Sequence, residues 1–291
     1  MTKVCIFPGQ GAQQVGMGEA LFARYPEAEA EASEILGWSL RRLCLEDPDR
    51  QLGQTQFTQP AIYCVNALSY RQHLDDGGAV PEYAAGHSLG EYNALQAAGA
   101  FDFATGLRLV HARGEMMSRV AGGGMLAVIG LHPWQVREVL AQSGLDAVEI
   151  ANFNSYEQVV LAGPREALDL AAAAFQDAGA RHTLALRVSA AFHSSAMTET
   201  ARAFAGVLAG ASFQPLRLSV IANATALPYD DDPRALLARQ IDHPVRWIES
   251  IEYLLRRGAQ AFEEIGVGPV LTPMIRNIRE RSAFADGGEA A

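Results

Sequence analysis

The chain of 291 residues has only three cysteines, Cys5, Cys44 and Cys64, an odd number set far apart among apolar neighbours. That argues against a disulfide framework or a zinc site, so buried, reduced thiols and no bound metal are expected. No stretch reaches the roughly 18 uninterrupted apolar residues of a membrane span. Met1-Thr2-Lys3-Val4 runs directly into a strand rather than a signal peptide, so a cytoplasmic protein without membrane contact is expected. Positive charge is in deficit: the formal net charge is −10, which disfavours a general nucleic-acid binder and leaves room for a local basic patch facing an acidic partner. There is no internal repeat. What is present is a 49% hydrophobic composition, enough for one large α/β domain with a smaller one inserted in it.

Short apolar runs alternate with longer amphipathic segments, the pattern of a mostly parallel sheet covered by helices. Val4 to Phe7 reads as the first strand and runs into a glycine-rich turn, Pro8 to Gly18. That turn does not fit a nucleotide: Gln14 stands where a dinucleotide fold needs its third glycine, and no Gly-Lys-Ser/Thr follows. The polar run Gln54 to Pro60 reads as a solvent-facing loop before a helix that begins near Ala61. Ala79 to Ala85 reads as a short buried strand, and Glu91 to Ala98 as a helix that Gly99 ends. A flexible Ala121-Gly122-Gly123-Gly124 follows the helix carrying Arg113. Strands are then expected at Met125–Ile129, Ala147–Ala151, Val159–Ala162 and Thr183–Val188, with helices at Trp134–Ser143 and Arg165–Ala178. This strand-helix-strand-strand-helix-strand order is ferredoxin-like. Residues 123–189 are therefore expected to form a small subdomain inserted in a large α/β-hydrolase-like catalytic domain of residues 1–122 and 190–291. The tail from Ala283 is expected to fray.

The most informative stretch is Gly86-His87-Ser88-Leu89-Gly90. Gly-x-Ser-x-Gly is how a strand-to-helix turn exposes a serine hydroxyl, with small glycines permitting the strained backbone and the helix N–H groups pointing at that hydroxyl. The Leu89 N–H is the natural first donor of an oxyanion hole. Ser88 needs a base, because a serine hydroxyl is a poor nucleophile near neutral pH. His87 is adjacent but points elsewhere on so tight a turn, which gives it a structural or pocket-lining role. His193 follows the last strand of the inserted unit on a small-residue loop; on residues alone, a catalytic histidine and an ordinary loop histidine fit equally well. A serine esterase would place the acid between serine and histidine and carry an upstream His-Gly-Gly run, which is absent. A noncatalytic binding module would not need these residues together.

Six ordered motifs go further: Phe7-Pro8-Gly9-Gln10-Gly11-Ala12-Gln13, Gly86 to Tyr92, Arg113-Gly114-Glu115-Met116, Ala151 to Ser155, Ala191-Phe192-His193-Ser194 and Gln240 to Trp247. In this order the chain resembles malonyl-CoA:acyl carrier protein transacylases over essentially its whole length. Within them, through Gln54 to Pro60 and Ser189 to His193, it is most similar to the free-standing acyltransferases that serve modular polyketide synthases in trans, of the disorazole type, with the fatty-acid enzyme close behind and a carrier-protein acyl hydrolase as a further alternative. The resemblance implies Ser88 as nucleophile, His193 as base and Gln240 orienting that base through its carbonyl oxygen. It also implies that the Gln10 N–H joins Leu89 in the oxyanion hole, and that Arg113, His87, Phe192, Met117 and Asn154 line the acyl site. Arg113 would bind the free carboxylate of a malonyl group, where a helix-face arginine paired with Glu115 is the plainer alternative. Phe192 would crowd an α-methyl branch. No cofactor is implied beyond malonyl-CoA as substrate; the partner would be an acyl carrier protein with its phosphopantetheine arm, and the enzyme a monomer. Arg256-Arg257 and Arg276, Arg279 and Arg281 are the densest basic clusters for docking it, followed by Arg165 and Arg181.

Overall fold

A computed structural model describes residues 2–230 and 232–282. In chain order the elements are β1 (Thr2–Phe7), α1 (Glu19–Arg24), α2 (Pro26–Leu36), α3 (Leu40–Leu45), α4 (Thr55–Asp75), β2 (Tyr83–Gly86), α5 (Gly90–Ala97) and α6 (Phe103–Ser118). They continue as β3 (Gly123–Ile129), α7 (Pro133–Gln142), β4 (Glu149–Ser155), β5 (Gln158–Pro164), α8 (Arg165–Asp177) and β6 (His182–Ala185). The last are α9 (Thr198–Ala209), β7 (Ser219–Ile221), α10 (Arg234–Arg239), α11 (Trp247–Arg256), β8 (Ala259–Glu264) and α12 (Thr272–Arg281).

One four-stranded sheet has the order β7-β2-β1-β8 and every pair is parallel. Alternation along its strands explains its two-sided burial. Cys5, Phe7 and Ala84 pack in one apolar core with α4, α5 and α6, while Val4, Ile6 and Ala85 pack in a second with α11 and α12. The second four-stranded sheet, order β4-β5-β3-β6, is antiparallel throughout and covers α7 and α8 through a third core of Val128, Val136, Leu161 and Phe175. That strand order with two helices on one face is the ferredoxin-like arrangement. The two units are stitched by backbone: Phe153 N–H donates to Val245 O at 2.9 Å and Val245 N–H to Ala151 O at 2.8 Å.

Several expectations need correction. The run Gln54–Pro60 is not a solvent loop: α4 starts at Thr55, and Thr58, Gln59 and Pro60 are buried. The Thr58 hydroxyl donates to Leu52 O and Gln54 O, and Gly114 lets α6 approach so closely that an added Cβ would stand 3.1 Å from Thr55 O. Tertiary packing thus overrides the polar, proline-bearing composition. The strand expected from Ala79 starts only at Tyr83, because Val80 is exposed and Pro81 has no N–H to pair. β4 runs on to Ser155, past the expected end at Ala151, and so carries Asn152 and Asn154. β6 stops at Ala185, short of Val188, where a turn bond from Val188 N–H to Leu186 O takes over. The tail from Ala283 lies outside the described residues. All three cysteines are free and buried, and no helix among the described residues is long and apolar enough to cross a membrane.

Candidate active site

Ser88 stands between β2 and α5 with φ +50°, a left-handed backbone that only a constrained turn imposes on a serine. The constraint is visible in its glycines. A Cβ on Gly86 would lie 1.9 Å from the Gly90 carbonyl carbon, and one on Gly90 would lie 2.0 Å from Phe7 O, so the turn is pressed against the end of β1. Gly9 meets it from the other side, where an added Cβ would lie 2.3 Å from His87 O and 3.5 Å from Leu89 N. This brings the Gln10 backbone beside Leu89. Neither the Gln10 nor the Leu89 backbone N–H has an acceptor among the described residues. Free donors of this kind at a helix start suit an anionic oxygen.

The Ser88 hydroxyl lies 2.7 Å from His193 Nε2, and His193 Nδ1 lies 2.8 Å from Gln240 O. A carbonyl only accepts, so Nδ1 carries the proton and Nε2 is left to accept from Ser88. His193 also has a positive φ, +59°, and is buried. Burial, followed by the nearby Arg113 charge, pushes its pKa down to about 3, so the free site holds a neutral imidazole.

Arg113 is fully buried on α6, and the expected alternative partner Glu115 pairs instead with Arg119. Its Nη1 donates to Gln59 Oε1 at 2.7 Å, and its Nη2 donates to Gln240 Oε1 at 2.8 Å and to Ser88 Oγ at 3.2 Å. Nε has no partner. Tyr92 lies alongside, with its ring centroid 5.6 Å from the guanidinium carbon. A buried cation held only by neutral oxygens, with a donor to spare, is an open seat for an anion. His87 Nε2 lies 2.7 Å from Asn154 Oδ1, and its ring meets Trp247 edge-on at 5.6 Å, so it walls the site without reaching Ser88 as a base. Burial lowers its pKa. Met117 is buried behind the site, where its sulfur accepts from Gln59 Nε2 at 3.5 Å. Phe192 is buried in the main core beside His193. The Gln10 side chain donates to Thr55 Oγ1 at 3.2 Å, and Thr55 borders an open cleft of about 610 Å³ that Arg165, Arg187 and Ser189 line from the other side.

The structure thus brings Ser88, His193, Gln240, Arg113, Gln10 and Leu89 together and sets His87 and Asn154 on the wall. It also shows participants that the sequence reading missed. Gln59 sits in the run Gln54–Pro60, which carries part of the family resemblance but reads as a loop, so its contact with Arg113 is not expected from the sequence. Asn223 accepts from Ser88 N–H at 2.7 Å and donates to Gly86 O at 2.7 Å, which clamps the turn. Glu91 is fully buried and accepts from Gln240 Nε2 at 2.5 Å, from Asn223 N–H at 3.0 Å and from the Tyr229 hydroxyl. A charged residue immediately after the turn, on the apolar side of a helix start, was the available signal. Among the described residues one cluster of metal-ligating atoms occurs elsewhere: Cys5, His73 and Glu263 converge where β1, α4 and β8 meet, and the contact of His73 Nδ1 with Glu263 Oε1 at 3.0 Å accounts for it.

Comparison with known proteins gives the family of the chain. A family model described as the acyl transferase domain matches residues 4–286. The polyketide biosynthesis malonyl CoA-acyl carrier protein transacylase BaeC of Bacillus velezensis is 48% identical over 95% of this chain and 96% of its own length. The polyketide biosynthesis protein ThaF of Burkholderia thailandensis is 49% identical over 98% of this chain, which spans only 25% of that longer protein. Among solved structures, a malonyl CoA-acyl carrier protein transacylase from Burkholderia pseudomallei superposes with a TM-score of 0.93 at 45% identity, covering 97% of this chain and 99% of the other. A malonyl-transacylase solved in complex with its type II polyketide acyl-carrier protein superposes at 0.91 with 36% identity, covering 96% and 93%. The chain belongs to the acyl transferase domain family.

Proposed function

We propose that this chain moves a malonyl group from malonyl-CoA to the phosphopantetheine thiol of an acyl carrier protein, serving a polyketide synthase in trans. Ser88 Oγ attacks the thioester carbonyl as its proton passes to His193 Nε2, and the carbonyl electrons move onto oxygen between the Leu89 and Gln10 N–H groups. The oxyanion collapses, the C–S bond breaks, and the departing sulfur takes the proton from His193. The carrier thiol then repeats these steps in reverse order and frees Ser88. No cofactor enters the balance. Gln240 O holds the imidazole in the required tautomer where a triad would use a carboxylate. The weaker base suits an exchange between thioesters, whose leaving thiolate needs little protonation.

The observation that carries the malonyl reading is Arg113, buried, held by neutral oxygens and 3.2 Å from the Ser88 hydroxyl. Pairing with a substrate carboxylate also offsets the charge that depresses His193, so the substrate strengthens its own base. Service to a polyketide pathway rests on likeness to BaeC over nearly the full length of both chains. The test is intact-protein mass spectrometry after incubation with malonyl-CoA. Wild-type protein is expected to gain one malonyl group and Ser88→Ala none. An adduct that persists in Ser88→Ala overturns the nucleophile, and fast release of free malonate without transfer to a carrier turns the reading to an acyl hydrolase.

A further inference from the structure

Arg113 and Glu91 are both fully buried, and a single amide stands between them. Gln240 Oε1 accepts from Arg113 Nη2 at 2.8 Å, while Gln240 Nε2 donates to Glu91 Oε2 at 2.5 Å and to Ser88 O at 2.7 Å. The backbone carbonyl of the same residue accepts from His193 Nδ1. The other Glu91 oxygen takes the Asn223 N–H and the Tyr229 hydroxyl. Because every partner donates to Glu91, the contacts suit an ionised carboxylate, and since burial pushes its pKa up to about 7 the lock is complete above that pH. They also lock Gln240 one way round, acceptor end toward the guanidinium and donor end toward the carboxylate.

We propose that Glu91 is a positioning residue for acyl transfer: through Gln240 it steadies the carbonyl that orients His193 and keeps Arg113 on a neutral oxygen, reserving the guanidinium charge for the substrate's carboxylate. This rests on the acyl-transfer reading above. A carboxylate in direct contact with Arg113 would compete with malonate for the same donors, whereas an amide oxygen accepts without cancelling the charge.

The test follows loading of Ser88 from malonyl-CoA and acetyl-CoA across pH 6 to 9 in wild type, Glu91→Gln and Tyr229→Phe. In Glu91→Gln the new amide's oxygen is claimed by the Asn223 N–H, so its NH2 group faces that of Gln240 and the lock opens. Loading from both acyl-CoAs is expected to fall by about tenfold or more, the cost of losing one buried charged contact. Wild-type loading is expected to rise through about pH 7 as Glu91 ionises, and Glu91→Gln to lack that limb. Tyr229→Phe removes a donor to the carboxylate and is expected to move the limb to higher pH. A purely structural residue would not move the pH profile. Circular dichroism melting checks the fold, and if Glu91→Gln fails to fold Tyr229→Phe carries the test alone. Wild-type loading in Glu91→Gln, a limb that persists in it, or a limb unmoved in Tyr229→Phe overturns the role of Glu91. Failure of the wild-type protein to load at all overturns the acyl-transfer reading instead.

Discussion

Arg113 hydrogen-bonds two amide oxygens and the Ser88 hydroxyl but no carboxylate, so its removal should be felt most by an acyl group that brings one. Arg113→Ala is expected to lower kcat/KM for malonyl-CoA by the equivalent of about 2 to 4 kcal/mol while sparing acetyl-CoA. Equal losses for the two would make the arginine structural. Two buried groups also set opposing pH dependences of stability. Burial lifts the Glu91 carboxyl to about 7, above its unfolded value, so its contribution is complete below the unfolded pKa and disappears as pH rises through 7. His193 is held down at about 3, so its contribution is complete above the unfolded histidine value and disappears as pH falls toward 3. Between about pH 4.5 and 6.5 the two slopes offset each other. Glu91→Gln removes one of them, and the unfolding free energy from urea titrations is expected to fall on acidification across that window by up to about 1 kcal/mol per pH unit more steeply than in wild type. Parallel profiles for the two proteins would refute the assignment. At this scale the sequence showed Ser88 through its glycines, but Gln59 only declares itself once α4 is seen to be buried against α6.

The strand-turn-helix element β2–α5 is the most exacting piece of backbone. Gly90→Ala would drive a methyl into Phe7 O, a backbone atom that no rotamer change can move. It is expected to cost about 3 kcal/mol or more in a denaturation midpoint and to abolish loading of Ser88, because the turn must back away from β1. Near-native stability with full activity would contradict the packing described. This element was legible because a short apolar run, two glycines and a helix pattern all agree. The start of α4 was not, since Gln, Thr and Pro carry the local signature of a loop and only the face presented by Gly114 makes a helix there worth its burial.

Across the whole molecule, the site is shared between the two units. β4 pairs with the segment at Val245, and this places Asn154 against His87 and Gln240 within reach of Arg113. The basic clusters differ in availability. Arg281 is tied to Glu157, Arg257 covers the Tyr253 ring and Arg279 reaches Gln260 O, while Arg276 is exposed. Reversing Arg276 and Arg279 to glutamate is expected to raise KM for an acidic carrier protein at least about threefold at low salt and to leave self-malonylation unchanged. Unchanged carrier kinetics would move docking to the cleft side, where Arg165 and Arg187 face Thr55.

The class of fold, the inserted unit and the strained turn that carries Ser88 are written in the residues themselves, because each rests on contacts between near neighbours: alternation along strands, glycines two residues from the serine, and turns that only small residues allow. Which histidine meets the Ser88 hydroxyl, which glutamines hold the arginine, and where the compensating carboxylate lies emerge only when the chain is folded. His193 is 105 residues from Ser88 and Gln240 is 127 from Arg113. No local propensity relates residues so far apart; what relates them is the cost of burying Arg113 and Glu91, which the fold meets by closing an amide between the two charges.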